Sequence, residues 1–279
     1  MTRTLWNLIF ALQSKSLITL FLSVLCFCTN AQSKTELSIG NTIEFESSIL
    51  NETRKLNIYI PSDLDSTKKY SIIYLLDGSI DEDFIHVVGL VQFFTMTFQM
   101  PPSIVVGIAN VDRKRDFTFP TKETSLNREF PTAGHSDKFI AFIEYELQPY
   151  IANEFPVGPE KILIGQSLGG LLACEILLTR PHLFNTYLIT SPSLWWDNQS
   201  LLKNCDQYLN IEFSHTPDVY LSVGQEEHKV MIRDAKALYQ KIKKQSTFDE
   251  VHFKLMPKED HATILHNSLY YQFSKLLSK

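Results

Sequence analysis

Two hydrophobic rhythms divide the chain. Early on, apolar and polar residues alternate, first around Ile43 and Phe45 and then through Arg54-Lys55-Leu56-Asn57-Ile58-Tyr59-Ile60. A period of two turns one face of a strand to the core and the other to water, which predicts antiparallel strands at one sheet edge. Pro61-Ser62-Asp63 ends the second of them. The later runs are unbroken and apolar: Ile72-Ile73-Tyr74-Leu75-Leu76, Ile104-Val105-Val106-Gly107-Ile108, Ile162-Leu163-Ile164, Tyr187-Leu188-Ile189, Val219-Tyr220-Leu221-Ser222-Val223 and Val251-His252-Phe253-Lys254-Leu255. Most of these have no polar face, as expected of parallel strands covered by helices on both sides. Between them, segments near 83–97, 136–152, 168–179, 231–245 and 262–277 repeat apolar residues every three or four positions, as Phe139, Ile140, Phe142, Ile143 and Leu147 do. Those segments predict helices. The predicted fold class is α/β, a mostly parallel, doubly wound sheet with antiparallel N-terminal strands. Sites in such sheets gather at the carboxyl ends of the strands.

The N-terminus follows neither rhythm. Arg3 and Lys15 precede the uncharged apolar core Leu17-Ile18-Thr19-Leu20-Phe21-Leu22-Ser23-Val24-Leu25-Cys26-Phe27, and Thr29-Asn30-Ala31 places small residues where a signal peptidase reads. Residues 1–31 therefore read as a cleaved secretory signal peptide. Residues 32–279 have no internal repeat and no low-complexity linker, and read as one exported domain, periplasmic or secreted. An uncleaved anchor is the alternative, because Leu5 to Leu12 adds apolar length upstream. A lipoprotein is disfavoured, since Phe27 before Cys28 and Leu25 before Cys26 are poor neighbours for lipidation. Removing the leader leaves Cys174 and Cys205, both expected to be free although export permits disulfides. No Cys/His spacing matches a metal site.

Composition narrows the partners. Hydrophobic residues make up 44% and charged residues 20% of the chain, enough for a large core. A net charge of −5 gives no electrostatic reason to expect nucleic acid or an anionic membrane surface.

The chemistry concentrates in Gly165-Gln166-Ser167-Leu168-Gly169, which follows the run Ile162-Leu163-Ile164 and opens a predicted helix. Strand, G-x-S-x-G and helix together form the context of a nucleophile elbow, a turn so tight that glycines must flank the serine. The bend lifts the Ser167 hydroxyl clear of the sheet, and the helix start aims free N–H groups at what it attacks. A serine hydroxyl needs a base within hydrogen-bond reach, and in this type of site the chain order is serine, acid, histidine. His261 lies after the last predicted strand and before the last helix; His228, His252 and His266 compete, but His252 falls inside a strand and His266 within a helix. The acid should follow the strand ending at Val223, where Gly224-Gln225-Glu226-Glu227-His228 offers two carboxylates. Glu227 is the first choice, Glu226 the second and Asp260 a remote third. An oxyanion needs two donors. The Leu168 N–H is supplied by the elbow, and the other should come from Asp77-Gly78-Ser79 after the strand ending at Leu76, through the amide of Ser79 or Gly78.

Six segments carry a resemblance: Leu75-Leu76-Asp77-Gly78, Asn110-Val111-Asp112-Arg113-Lys114-Arg115-Asp116-Phe117-Thr118, Gly165-Gln166-Ser167-Leu168-Gly169-Gly170, Ser191-Pro192-Ser193-Leu194-Trp195-Trp196, Gly224-Gln225-Glu226-Glu227 and Asp260-His261. With them the chain, from about residue 40 onward, resembles the esterase D-like family of α/β-hydrolases. That family holds enterobactin and salmochelin esterases, feruloyl esterases, S-formylglutathione hydrolase and mycolyltransferases. The resemblance implies an α/β-hydrolase fold and, in the siderophore-esterase branch, an acid three residues after the glycine, which favours Glu227. It also implies that the Arg-Asp pair after the fourth strand lies near the substrate pocket. Arg115 would there bind an acidic or catecholate substrate, or else make a structural contact with Asp116. Trp195 and Trp196 would form an aromatic wall for substrate, or pack a loop on the sheet.

These readings converge on an exported serine ester hydrolase working through an acyl-enzyme, with siderophore trilactones the leading substrate. Acetyl or feruloyl esters of polysaccharide come next, then acyl transfer on the same fold, and last a non-catalytic binding protein. The chemistry needs no cofactor. The expected partner is a small-molecule or glycan ester, with no nucleic acid and no membrane once the leader is removed; the sequence sets no oligomeric state.

Overall fold

The alternating segments and the apolar runs all become strands. A computed structural model describes residues 33–62, 64–209, 215–245 and 247–276. The leader read over residues 1–31 lies outside them. Ile39–Lys279 form one compact unit. Its strands are β1 (Asn41–Ser47), β2 (Glu52–Tyr59), β3 (Tyr70–Leu75), β4 (Ser103–Ile108), β5 (Val157–Gln166), β6 (Thr186–Thr190), β7 (Asp218–Gly224) and β8 (Val251–Met256). Among the described residues they form one sheet in the order β1-β2-β4-β3-β5-β6-β7-β8. β1 and β2 are antiparallel, with Ile43 opposite Leu56, and β2 is antiparallel to β4. From β4 across to β8 every pairing is parallel, so the strand ends from β3 to β8 open on one edge.

The helices are α1 (Phe84–Met96), α2 (Arg113–Phe117), α3 (Thr124–Glu129), α4 (Ser136–Phe142), α5 (Gln148–Glu154), α6 (Leu168–Thr179), α7 (Trp196–Lys203), α8 (Cys205–Leu209), α9 (Lys229–Ile242) and α10 (Ile264–Leu276). Each sheet face has its own core. On one, α1 and α10 bring Phe84, Val91, Phe94, Leu269 and Phe273 onto Ile73 and Leu75. On the other, α4, α6 and α9 bring Phe142, Leu171, Leu177 and Leu238 onto Tyr74 and Leu163. This two-sided cover is the reason β4 and β6 are buried along their whole length. Cys174 and Cys205 are free thiols within the second core.

Three local features depart from the periodicity. The helix expected over 136–152 passes through a π turn at Ile143–Leu147 before α5. Pro149 has no N–H to give the carbonyl four residues back, and the wider turn accommodates that missing bond. β8 is an edge strand, only half-buried for most of its length, because β7 pairs with it on one side alone. Its His252 lies flat on Tyr220, ring centroids 4.9 Å apart, and meets Glu250 at 2.9 Å. Last, α2, α3, α7 and α8 are too short to show a helical period. α7 also contains a left-handed turn, with φ of 48°, 50° and 63° at Asp197, Asn198 and Gln199. The Asp197 carboxylate anchors that turn by accepting from Thr121 Oγ1 (2.9 Å) and the Lys122 amide (2.7 Å). Among the described residues no helix is long and apolar enough to cross a membrane.

Candidate active site

Ser167 sits where β5 turns into α6, with φ 58° and ψ −117°. Such a backbone costs a non-glycine residue about 1–3 kcal/mol and persists only where the surroundings enforce it. Here they do. The Ser167 amide donates to Thr190 O at the end of β6 (3.1 Å), and Ser167 O accepts from the Leu171 and Ser193 amides, both at 2.9 Å. The first flanking glycine has no room for a side chain, and the second has little. A Cβ on Gly165 would lie 2.4 Å from Gly169 O, and one on Gly169 would lie 3.2 Å from Asp77 Oδ2 and crowd Leu76.

Two loops bring the base and the acid to this serine from far along the chain. His261, between β8 and α10, places Nε2 3.0 Å from Ser167 Oγ. Its Nδ1 is 2.8 Å from Glu227 Oε2. An ionised carboxylate only accepts, so Nδ1 carries the ring hydrogen and Nε2 presents a lone pair to the serine O–H. The Gln166 side chain donates to His261 O at 2.6 Å, so the second residue of the elbow motif fastens the histidine loop.

Glu227 follows β7 and is buried, while Glu226 is exposed. Oε1 of Glu227 accepts from the Gly224 amide at 2.9 Å and from the Ser191 hydroxyl. Burial pushes the carboxyl up, but hydrogen bonds from His261, Ser191 and the Gly224 amide outweigh it and hold it below its ordinary 4.5. Asp260, the third carboxylate considered, is occupied elsewhere. Its Oδ1 accepts from the amides of Ala262 (2.8 Å) and Thr263 (3.0 Å), shaping the entry to α10. The competing histidines are likewise placed apart: His228 Nδ1 accepts from the Val230 amide at 3.3 Å, and His266 faces His86 at 3.4 Å.

The two oxyanion candidates after β3 separate cleanly. The Gly78 amide donates to Ile108 O at 3.0 Å and is not available. The Ser79 amide has no partner among the described residues, and the Leu168 amide is the first of α6, with no acceptor inside its helix. Ser79 and Leu168 are thus the pair left open for an oxyanion.

For two of the residues considered for substrate binding, the structure shows the structural contacts given as their alternatives. The Arg115 guanidinium forks onto Glu52 (2.9 and 2.6 Å) and donates to Asp116 at 2.7 Å. The buried Arg54 joins the same cluster through Asp116. With its donors spent on carboxylates, Arg115 ties α2 to β2. Arg115→Ala is therefore expected to lower stability by about 1–2 kcal/mol, discounted for partial exposure, and to leave KM unchanged. Urea melts and steady-state kinetics check this; a raised KM at wild-type stability would contradict it. Trp196 is also structural, being buried, donating from Nε1 to Phe119 O at 2.8 Å and packing beside Phe130. Trp195 is half-buried and meets Trp196 edge to face, ring centroids 6.1 Å apart. The residues missed in the sequence are Ser191, which donates to the acid, and Ser193, whose Oγ lies 3.4 Å from Ser167 Oγ. Their position directly after an apolar strand was the available signal.

Comparison with known proteins identifies the family. A family model described as "Putative esterase" matches residues 47–277. The chain is 31% identical over 235 residues to the ferri-bacillibactin esterase BesA of Bacillus subtilis, covering 77% of this chain and 81% of that one. Among solved structures, an IroE-like serine hydrolase from Shewanella oneidensis superposes with a TM-score of 0.78 at 28% identity, covering 86% of this chain and 80% of that one. The BES protein from Bacillus cereus superposes with a TM-score of 0.75 at 27% identity, covering 88% and 97%. On the strength of the match over nearly the whole folded unit, the chain belongs to this esterase family and is a carboxylic ester hydrolase.

Proposed function

We propose that the chain is an exported serine esterase that opens siderophore trilactones through an acyl-enzyme. The observation that carries the mechanism is the relay from Ser167 Oγ through the imidazole to Glu227, at 3.0 and 2.8 Å. Ser167 Oγ attacks the ester carbonyl while His261 Nε2 takes its proton. The charge that develops on the carbonyl oxygen is met by the Leu168 and Ser79 amides. Glu227 holds the ring tautomer and stabilises the imidazolium. The proton then passes to the departing alkoxide as the tetrahedral intermediate collapses to the acyl-serine. Water, deprotonated by the same imidazole, releases the acid and restores the hydroxyl.

For the substrate, the support is of two kinds. The relatives include proteins named as esterases of ferri-bacillibactin and of iron(III) salmochelin. The His261 side chain is 47% exposed, so the reacting atoms are open to a bulky ester rather than buried under a cap. Export rests on the leader-like sequence alone.

A substrate panel tests the reading. Turnover of a ferric trilactone siderophore to linear product is expected to exceed that of feruloylated or acetylated xylan in kcat/KM. Preference for the xylan esters would move the chain to polysaccharide deacylation. Capture of the acyl group by an added alcohol in preference to water would make it a transferase.

A further inference from the structure

We infer that Asn57, on β2, is a positioning residue that aims the second oxyanion donor, with Arg113 and Asn110 holding the same loop from the other side. The inference rests on the serine-esterase reading above. Its starting point is a peptide plane. In a trans peptide the C=O and N–H point in opposite directions. The Gly78 carbonyl and the Ser79 amide belong to one such plane, so fixing the carbonyl fixes the direction of the N–H.

The carbonyl is fixed by Asn57, whose Nδ2 donates to Gly78 O at 2.8 Å. Asn57 is only 6% exposed, an unusual place for an amide side chain unless its polar ends are satisfied. They are, since Thr42 Oγ1 on β1 donates to Asn57 Oδ1 at 2.7 Å and thereby orients the amide group. With Gly78 O held toward β2, the Ser79 N–H points the opposite way. The Gly78 amide on Ile108 O ties the residue to β4 as well.

The upstream end of the loop is clamped by charge. Asp77 has φ 55°, a left-handed turn that needs support at a non-glycine residue. Arg113 supplies it with a two-pronged contact, Nε to Oδ1 at 2.6 Å and Nη2 to Oδ2 at 2.8 Å. Asn110 adds a donor to Oδ1 at 2.6 Å. Arg113 Nη2 also reaches Gln166 O at 3.4 Å, the carbonyl before the nucleophile, so one guanidinium touches both the oxyanion loop and the elbow. An oxyanion hole works because its donors are aimed before the reaction begins. The antiparallel strands β1 and β2 thus serve the reaction although they contribute no group that touches substrate.

The test compares wild type with Asn57→Leu, Arg113→Lys, Ser79→Pro and the double variant Asn57→Leu/Ser79→Pro, using p-nitrophenyl acetate. Active sites are counted with a fluorophosphonate, so that kcat refers to folded protein. Asn57→Leu is expected to lower kcat about 10²-fold with KM unchanged, and to weaken binding of a phenylboronic acid, a tetrahedral mimic, by a similar factor. Adding Asn57→Leu to Ser79→Pro, which has already lost the N–H, should cost nothing further. If Asn57→Leu does not fold, Arg113→Lys carries the test, because it keeps the charge and loses the fork at a half-buried position; a loss in kcat alone is expected. Undiminished kcat per labelled site, or losses that combine in full with Ser79→Pro, would overturn the inference while leaving the esterase reading intact. A folded wild type that neither labels nor turns over would overturn both.

Discussion

Ser167→Ala and His261→Ala are each expected to lower ester turnover by about 10⁶-fold. The serine change removes the atom that attacks. The histidine change leaves a hydroxyl with no base, since the only ring nitrogen within reach of Ser167 Oγ among the described residues is His261 Nε2 at 3.0 Å. Because the two act as a unit, the double variant should be no worse than either single one. What activity survives comes from the oxyanion donors and substrate binding. His266→Ala, five residues on and turned toward His86, is the matched control and should keep wild-type turnover. Initial rates on p-nitrophenyl acetate decide it. A His261→Ala variant with a tenth of wild-type activity, or an inactive His266→Ala, would show that the base is misassigned.

Glu227→Gln is expected to cost about 10⁴-fold in kcat, with the fold intact. The reason lies in which atoms face the carboxylate. Oε1 receives two hydrogens, from the Gly224 amide and the Ser191 hydroxyl. A glutamine must place its oxygen there, because its NH₂ would face the Gly224 N–H, which can only donate. The NH₂ then points at His261 Nδ1 and donates to it, so the ring hydrogen moves to Nε2. An Nε2–H cannot take the proton of Ser167. The loss should appear in kcat, with KM little changed, while Glu226→Gln at the exposed neighbouring position leaves kinetics unaffected. The wild-type carboxyl is also held below its ordinary value. Its contribution to stability is therefore complete above the usual carboxylate range and is lost as pH falls through the lowered value, and Glu227→Gln should remove that part of the acid sensitivity. Equal kcat for Glu227→Gln and wild type would exclude the tautomer argument.

Much of this arrangement was legible in the sequence because it depends on local pattern. Continuous apolar runs mark strands buried on both faces, and G-x-S-x-G between such a run and a helix leaves little room for another turn. Glu227 and His261 could be found because each follows a strand whose end opens on the same sheet edge. Side-chain direction was harder to read. Arg113 and Arg115 stand two apart on the one-turn helix α2 and so point to opposite sides, one to Asp77 and the other to Glu52. Nothing in their spacing says which side holds the site. Asn57 occupies a polar position in an alternating strand, where the simple reading turns it to solvent. In the fold the loop after β3 crosses it, and the polar residue becomes a buried donor. Trp196 posed the opposite ambiguity: an aromatic pair at a strand end suits a substrate wall or a packed loop, and in the fold its indole N–H has a backbone partner on Phe119. Long-range contacts of this kind come from topology, which a hydropathy pattern does not encode.

Activation of Ser167 by the imidazole beside it is open to direct chemical labelling. Folded wild-type protein is treated with a fluorophosphonate, digested and mapped by mass spectrometry, alongside Ser167→Ala and His261→Ala. One adduct per chain is expected, on the peptide containing Ser167, absent from Ser167→Ala and formed far more slowly in His261→Ala. Modification of a different residue, or labelling of Ser167 at an undiminished rate without the imidazole, would contradict it.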